Sequence, residues 1–490
     1  MRLSIDAVRS FHARHRVFLI IMSFAVTVRV ITTLGFHWAI WFSDSYDYLD
    51  VAMRPRPDPV RTFGYPFLLM ILRPFHSVGL VIVVQHLMGL ALGVILYGLL
   101  RRQHLFGGAR ALPGWVAALV TIPVLLDANQ IELEHLLLSD TLFALLLVGA
   151  VALMLWNPVI SLRAAAGAGL LLAAAAVTRT VALPLFAVLV VFLLIRRVNW
   201  RVLLATLAAT VLPLVAYGAW YASVNGVFQL SGTDGVFLYS RTMTFADCKY
   251  FVDELSAEQL PLCESPDRPP AKRPVSHFYV WEQPQLFFYT GGGTQFAPYK
   301  NDLARDFAKK AIMAQPGDYA STVAKDFRRT FQWGRPVYPD PKTYAQYVFP
   351  RDDIAYRPGR EALVARYDAM PRATTVVEPF AGFMRGYQQV VRLPGTLLGI
   401  VLLAGFAGIM RRWRQFGGVA LLPWGIAMTM LIVPPATVLF DYRYVLPAVP
   451  FALLAAAIAA RDLLTWIQIR RAPVPDLVEK LEEPELAAAS

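Results

Sequence analysis

Three carboxylates, Asp44, Asp47 and Asp50, stand close together in WFSDSYDYLDVA, residues 41–52. A carboxylate held in place can take a proton from a hydroxyl. Asp44 and Asp47 are the candidates for that work, and Asp50 reads as a solvated turn. A second acidic group follows in IELEHLLLSD, with Glu132, Glu134, His135 and Asp140. Carboxylates and an imidazole can hold a divalent cation such as Mg or Mn, together with water and phosphate oxygens. No tight ligand spacing decides for a metal here. Without one, Glu134 or His135 orients an acceptor, and Asp140 starts a helix where the dipole favours a negative charge. The arginines are the other half of the chemistry. Arg61, Arg179 and Arg443 are placed near the ends of apolar runs and Arg29 lies inside one. A guanidinium fork suits a phosphate oxyanion. A charge at membrane depth is costly and marks a site unless a buried partner accounts for it. For Arg29 that partner would be a carboxylate such as Asp140.

The elements that must position these residues are membrane helices. With 490 residues, 57% hydrophobic and 16% charged, and a mean hydropathy of +0.48, the chain carries more apolar surface than a soluble core of this length uses. A crossing takes roughly 20 apolar residues. The runs are Val17 to Phe36, Val78 to Leu100, Gly114 to Leu126, Leu136 to Leu155, Ala164 to Ile195, Val202 to Tyr221, Leu397 to Ile409, Val419 to Val433 and Tyr444 to Ala460. The Ala164 to Ile195 block is too long for one crossing and is interrupted by Arg179 and Pro184, so it divides in two. The expectation is a mostly α, polytopic transmembrane bundle of about 10–13 helices. GYPFLLMIL, after Arg61, reads as a re-entrant or interfacial element.

Basic residues collect in the N-terminal segment, in RRQHLFGGAR, in RRVNWR and in RRWR. Counting crossings puts all of these on one side, which the positive-inside rule makes cytoplasmic. The net charge of +12 is then spent on topology and anionic lipid headgroups, and nucleic acid is not an expected partner. The first run reads as a retained helix, because no small-residue cleavage site follows it. Four regions result: a membrane module over 1–222, a polar extracytoplasmic segment over 223–393, closing membrane helices over 394–465, and a disordered tail over 466–490. Both cysteines, Cys248 and Cys263, fall in the outer segment. There they read as a disulfide worth on the order of 3 kcal/mol. NDLARDFAKKAIMAQPGDY has helical periodicity, with Leu303, Phe307, Ala311 and Ile312 on one face. Pro316 breaks it, and a second helix runs from Asp318 to Phe331.

The spacing of Asp44, Tyr48 and Ala52, followed by RTFGYP from Arg61 through Tyr65 to Pro66, resembles the first outer loop of the GT-C superfamily. These are integral membrane glycosyltransferases that use polyprenyl-phosphate sugars, including the protein O-mannosyltransferase and aminoarabinose transferase branch. IELEHLLLSDTLFALLL, TRTVALPLFAVLV and FDYRYVLPAVPFALLAAAIAA resemble later family elements, in order. The outer segment, with its Cys pair and QPGDY, is similar to that of actinobacterial members. The resemblance implies sugar transfer, with inversion, from a polyprenyl-phosphate donor to a hydroxyl of a glycan, lipid or protein. Transfer would take place on the outer face of the plasma (inner) membrane, in building cell-envelope or cell-wall glycans. It implies Asp44 as general base, the Asp four residues before the loop's Tyr, with Asp47 and Glu134 as further catalytic candidates. Tyr48, Arg61, Tyr65, His135, Asp140, Arg179 and Arg443 would bind substrate. Where other members have Asp-Glu, this chain has Asp-Ser, so an adjacent second carboxylate is missing. The competing class is a transporter or flippase of lipid-linked saccharides. The sequence shows no internal repeat of the kind transporters carry. A scaffold without chemistry would leave Arg29, Asp44 and the acidic loop unexplained.

Overall fold

The protein is seen here as a computed structural model describing residues 5–106, 111–263, 275–282 and 294–471. Among these residues, five helices are long and apolar enough to cross a membrane: Arg9–Gly35, Val78–Leu100, Trp200–Asn225, Gly418–Thr437 and Tyr442–Leu463. Two helix pairs qualify only together. Gly114–Val120 with Ile122–His135 bends by 44°, and Phe380–Val390 with Gly395–Arg411 bends by 51°. A proline stands at each bend, Pro123 in the first turn after one and Pro394 capping the helix after the other. Three shorter apolar helices, Asp140–Leu155, Leu162–Thr178 and Ala182–Ile195, complete the set. The chain is a multi-pass, mostly α membrane protein.

The elements around the site are α1 (Ile5–Gly35), α2 (Ser45–Met53), α3 (Gly64–Leu72), α4 (Val78–Leu100), α5 (Gly114–Val120), α6 (Ile122–Leu125), α7 (Ala128–His135), α8 (Asp140–Leu155), α9 (Leu162–Thr178) and α10 (Ala182–Ile195). At nine residues, α3 is too short to cross. The long Ala164 to Ile195 run does divide, with α9 ending at Thr178 and α10 starting at Ala182. Arg179 stands in the break.

Among the described residues, the three largest of five hydrophobic clusters organise the fold. The largest joins membrane helices through residues such as Leu96, Phe143, Leu172, Leu189, Leu402 and Phe451. A second gathers the ends of those helices with the loops, through Phe36, Ile40, Leu49, Tyr65, Leu137 and Tyr347. Residues 347–387 of the polar segment belong to this second core, whereas Val236, Tyr239, Phe307 and Ala311 form a third with Cys248 and Cys263 at its edge. The two cysteines are bonded to each other. Helices Pro298–Ala314 and Pro316–Arg329 flank the break at Pro316.

The last helix runs from Val449 to Arg471, into the residues read as the start of a disordered tail. No breaker interrupts the chain before Pro473. The rest of that tail, 472–490, lies outside the described residues.

The segment after α1 is anchored on two sides. Phe36 and His37 pair antiparallel with Val376 and Thr375. Ile40 N donates to the carbonyl of His135, at the end of α7, at 3.1 Å. The chain therefore enters α2 from a fixed direction.

Candidate active site

Asp44 is the residue before α2, and its side chain makes no capping bond. An Asp here usually gives its carboxylate to the helix's first amides. Instead, Oδ1 accepts from Arg61 Nη2 at 2.6 Å and Oδ2 accepts from Arg443 Nη1 at 3.1 Å.

Each arginine is delivered by local chemistry. Asp58 Oδ1 accepts from the amides of Val60 and Arg61, both at 2.8 Å, which turns the loop. Thr62 then donates to the Thr178 carbonyl at 2.8 Å. Gly64 permits the approach, since a Cβ there would stand 2.7 Å from the Thr178 backbone. The Arg61 loop is thus pressed on the end of α9, whose C-cap is Arg179. Arg179 pairs with Asp140, the first residue of α8, and lies 4.8 Å over the Tyr444 ring. Arg443 follows Asp441, whose Oδ1 accepts from its amide at 3.1 Å, and it lies against the rings of Phe42 and Tyr444 at 4.9 and 5.3 Å. Three guanidiniums from distant parts of the chain therefore act on one carboxylate. Burial alone would push Asp44 up, but Arg61 and Arg443, aided by Arg179, outweigh it and hold the carboxyl below its usual range.

Hydrogen-bonding capacity is left over. Nε of Arg61, Nε of Arg443 and Oδ2 of Asp140 are buried without a hydrogen-bond partner. Arg443 Nε comes no nearer than 3.6 Å to Asp441 Oδ2. Native interiors seldom leave such atoms unpaired, and here two guanidinium donors without a hydrogen-bond partner belong to the two arginines that flank Asp44. Asp47 is at the rim, 3.5 Å from Arg61 and 3.9 Å from Arg360, and burial pushes its carboxyl up. Asp50 pairs with Arg54 on the exposed side of α2.

No known protein family matches the sequence, and no curated protein matches it. Among solved structures, the chain is similar to the apo oligosaccharyltransferase of Archaeoglobus fulgidus, with a TM-score of 0.44 and 11% identity over 94% of this chain and 52% of that one. It is also similar to ArnT from Cupriavidus metallidurans bound to undecaprenyl phosphate, with a TM-score of 0.33 and 14% identity over 91% of this chain and 77% of that one. The chain spans about half the length of the archaeal oligosaccharyltransferase.

Two tyrosines link this site to a second polar network. The Tyr48 hydroxyl is 2.9 Å from Ser139 Oγ, and its ring lies 5.6 Å from the Arg61 guanidinium and edge-on to Tyr65 at 5.0 Å. Tyr65 donates to Gln85 Oε1 at 2.5 Å, and Gln85 Nε2 donates to the carbonyls of Glu134 and Leu136. Tyr65 thus presents its ring toward Tyr48 and commits its hydroxyl elsewhere.

Glu134 and His135 belong to the second network. Arg29 donates to Glu134 from Nε at 2.7 Å and from Nη2 at 2.8 Å, and to the Leu125 carbonyl at 2.8 Å. The partner of Arg29 is therefore Glu134 and not Asp140, because the turns of α7 carry Glu134 inward toward α1 while Asp140 heads α8 beside Arg179. Gln130 Nε2 donates to Glu134 Oε1 at 3.1 Å. His86 links Glu134 and His135 at 3.0 and 3.1 Å, and His135 Nε2 meets the Phe36 carbonyl at 2.8 Å. The two imidazoles thus tie Glu134 to the Phe36 carbonyl just after α1. Glu132 points elsewhere, with Oε2 at 3.3 Å from Gln388 Nε2.

The acidic group read as an alternative cation site is thus dispersed. Glu134 is occupied by Arg29, His86 and Gln130, and Asp140 by Arg179. Among the described residues no three His, Cys, Asp or Glu side chains converge as metal ligands would, and no step below is routed through a cation.

Sequence reasoning missed Asp441 and Tyr347. The Tyr347 hydroxyl donates to Asp441 Oδ2 at 2.7 Å, so Asp441 supports Arg443 from behind. Asp441 had a signal, an Asp two residues before Arg443 at a helix start. Tyr347 had none.

Proposed function

We propose that the protein is a GT-C type membrane glycosyltransferase that moves a sugar from a polyprenyl-phosphate donor to an acceptor hydroxyl on the extracytoplasmic face. The observation that carries this reading is Asp44 set between Arg61 and Arg443 while both arginines keep an unspent, buried Nε–H. Such a transfer needs a base for the acceptor's proton and positive charge for the departing phosphate. Asp44 serves as the base. Arg61 and Arg443, with Arg179 behind them, bear the charge that develops on the phosphate, and a guanidinium fork suits phosphate oxygens. Tyr48, hydrogen-bonded with Ser139, offers its ring to Arg61, and Asp140 holds Arg179. Asp47 and Arg360 stand at the rim. Glu134 is a counter-ion for Arg29 that keeps α7 seated. The basic loops that fall on one side of the topology support placing the site outside the cytoplasm.

The test is transfer by purified protein from a panel of undecaprenyl-phosphate sugars, with Asp44→Asn in parallel. Transfer by the intact chain that Asp44→Asn abolishes, while lipid binding persists, is expected. Donor binding without transfer to any acceptor would favour a flippase instead.

A further inference from the structure

We infer that the free protein keeps Asp44 latched between Arg61 and Arg443, and that the donor's phosphate is the key that releases it to act as a base. The inference rests on the glycosyltransferase reading and adds an order of events to it. Each carboxylate oxygen of Asp44 holds a guanidinium, at 2.6 and 3.1 Å, and two paired cations weaken its pull on a proton. A base in this state is a poor proton acceptor.

What moves when a phosphate arrives is decided by what holds each partner from behind. Arg61 is held by its loop turn at Asp58, by the Tyr48 ring and by Asp47 at 3.5 Å. Arg443 is held by the Phe42 and Tyr444 rings and by Asp441 at 3.6 Å. The Asp44 side chain has no such support. It makes no bond to the helix it precedes, while the chain just before it is held by Ser45 Oγ, which accepts from Phe42 N at 3.0 Å, and by Gln346, which accepts from Ser43 N at 3.0 Å. A phosphodiester presents two oxygens to the same two forks and also meets the Nε–H of Arg61, which has no hydrogen-bond partner. The arginines stay and Asp44 swings out.

Once freed, Asp44 is still buried, now beside an anion and with its cations neutralised. The other charged groups facing it are Asp47 and Arg360 at the rim, the Arg179–Asp140 pair, and Asp441 with Tyr347. Both changes favour its protonated form. The acceptor oxygen then bonds to the sugar's anomeric carbon and its proton passes to Asp44. The bond from that carbon to the phosphate oxygen breaks, its electron pair stays on the phosphate, and the lipid phosphate remains on Arg61 and Arg443. Without a donor in place there is no competent base.

The deciding experiment is the affinity of purified protein for undecaprenyl phosphate. If Asp44 competes for the arginines, Asp44→Asn removes the competitor and binds at least tenfold tighter although it cannot transfer sugar. Asp50→Asn, which removes a charge of the same segment that pairs with Arg54 and with neither latch arginine, changes affinity less than threefold. Equal or weaker binding by Asp44→Asn, with the intact protein still binding, overturns the latch and leaves the glycosyltransferase reading standing. No binding of polyprenyl phosphate by the intact protein overturns both. A second measurement needs no variant. Binding of a dialkyl phosphate diester, which does not itself titrate near pH 5, is followed by calorimetry at that pH in two buffers of different ionisation enthalpy. Proton uptake by the intact protein is expected, and its absence refutes release of Asp44.

Discussion

Replacing Glu134 by Gln separates a structural carboxylate from a catalytic one. The carboxylate is fully buried and takes two hydrogen bonds from Arg29, itself 3% exposed, at 2.7 and 2.8 Å. An amide keeps the shape and one acceptor but removes the counter-charge, leaving a buried cation without a compensating anion. Breaking a buried ion pair from one side costs about 3–5 kcal/mol. At roughly 1–3 °C per kcal/mol for a chain of this size, the midpoint of heat-induced aggregation in detergent should fall by about 5–10 °C. The double variant Arg29→Leu with Glu134→Leu should recover at least half of the loss, because removing both charges together is far less costly than removing one. Thermal profiles of the wild type, Arg29→Leu, Glu134→Leu and the double variant make a complete cycle. Sugar transfer per folded molecule should survive in Glu134→Gln, since Glu134 shares no partner with Asp44. A midpoint shift below about 2 °C combined with lost transfer would refute the counter-ion assignment and restore Glu134 to the chemistry.

Three further outcomes are expected. Arg443→Lys, which keeps the charge and loses the fork, should lower kcat by about a hundredfold while the fold is retained, by analogy with the loss of one oxyanion donor. The acid limb of kcat/KM, which reports the free protein, should lie below the ordinary carboxylate range because Arg61 and Arg443 outweigh burial at Asp44. Asp44 therefore stays ionised as pH falls until that depressed value is passed, whereas the limb of kcat, measured with donor bound, should move to higher pH. Reducing the Cys248–Cys263 bond, which closes a separation of 15 residues, should cost on the order of 3 kcal/mol. Limited proteolysis should then cut first within residues 234–263.

The membrane helices were legible because length and apolarity alone define them, and the break at Arg179 because a charge and Pro184 interrupt an otherwise uniform run. Asp44 and Arg61 were legible as candidates in one outer loop, although not as each other's partner. Arg443 stands 399 residues from Asp44, and only the fold joins them. Arg29 shows why the remainder was hidden. Two carboxylates, Glu134 and Asp140, follow within ten residues of each other, and which one meets Arg29 depends on the depth at which α7 ends and α8 begins. That depth follows from the bend after α5 and from the polar contacts of α7, neither of which has a local signature. Tyr347 was invisible for a related reason, since its role comes from Asp441 arriving from another part of the chain.

The pair between Arg29 and Glu134 also has a history. The two residues are 105 positions apart, so at about 5–20 residues per second the ribosome needs on the order of 5–20 s after making the first before it makes the second. Throughout that interval α1 carries a lone cation six residues from the end of its span, at a penalty below the roughly 2.5–3.5 kcal/mol of a central position. The apolar stretch around Arg29 is long enough to carry that load, but the helix can only finish seating when α7 is delivered. Substitutions at Glu134 should accordingly register first as lower yield in the membrane, before any effect on a finished molecule can be measured.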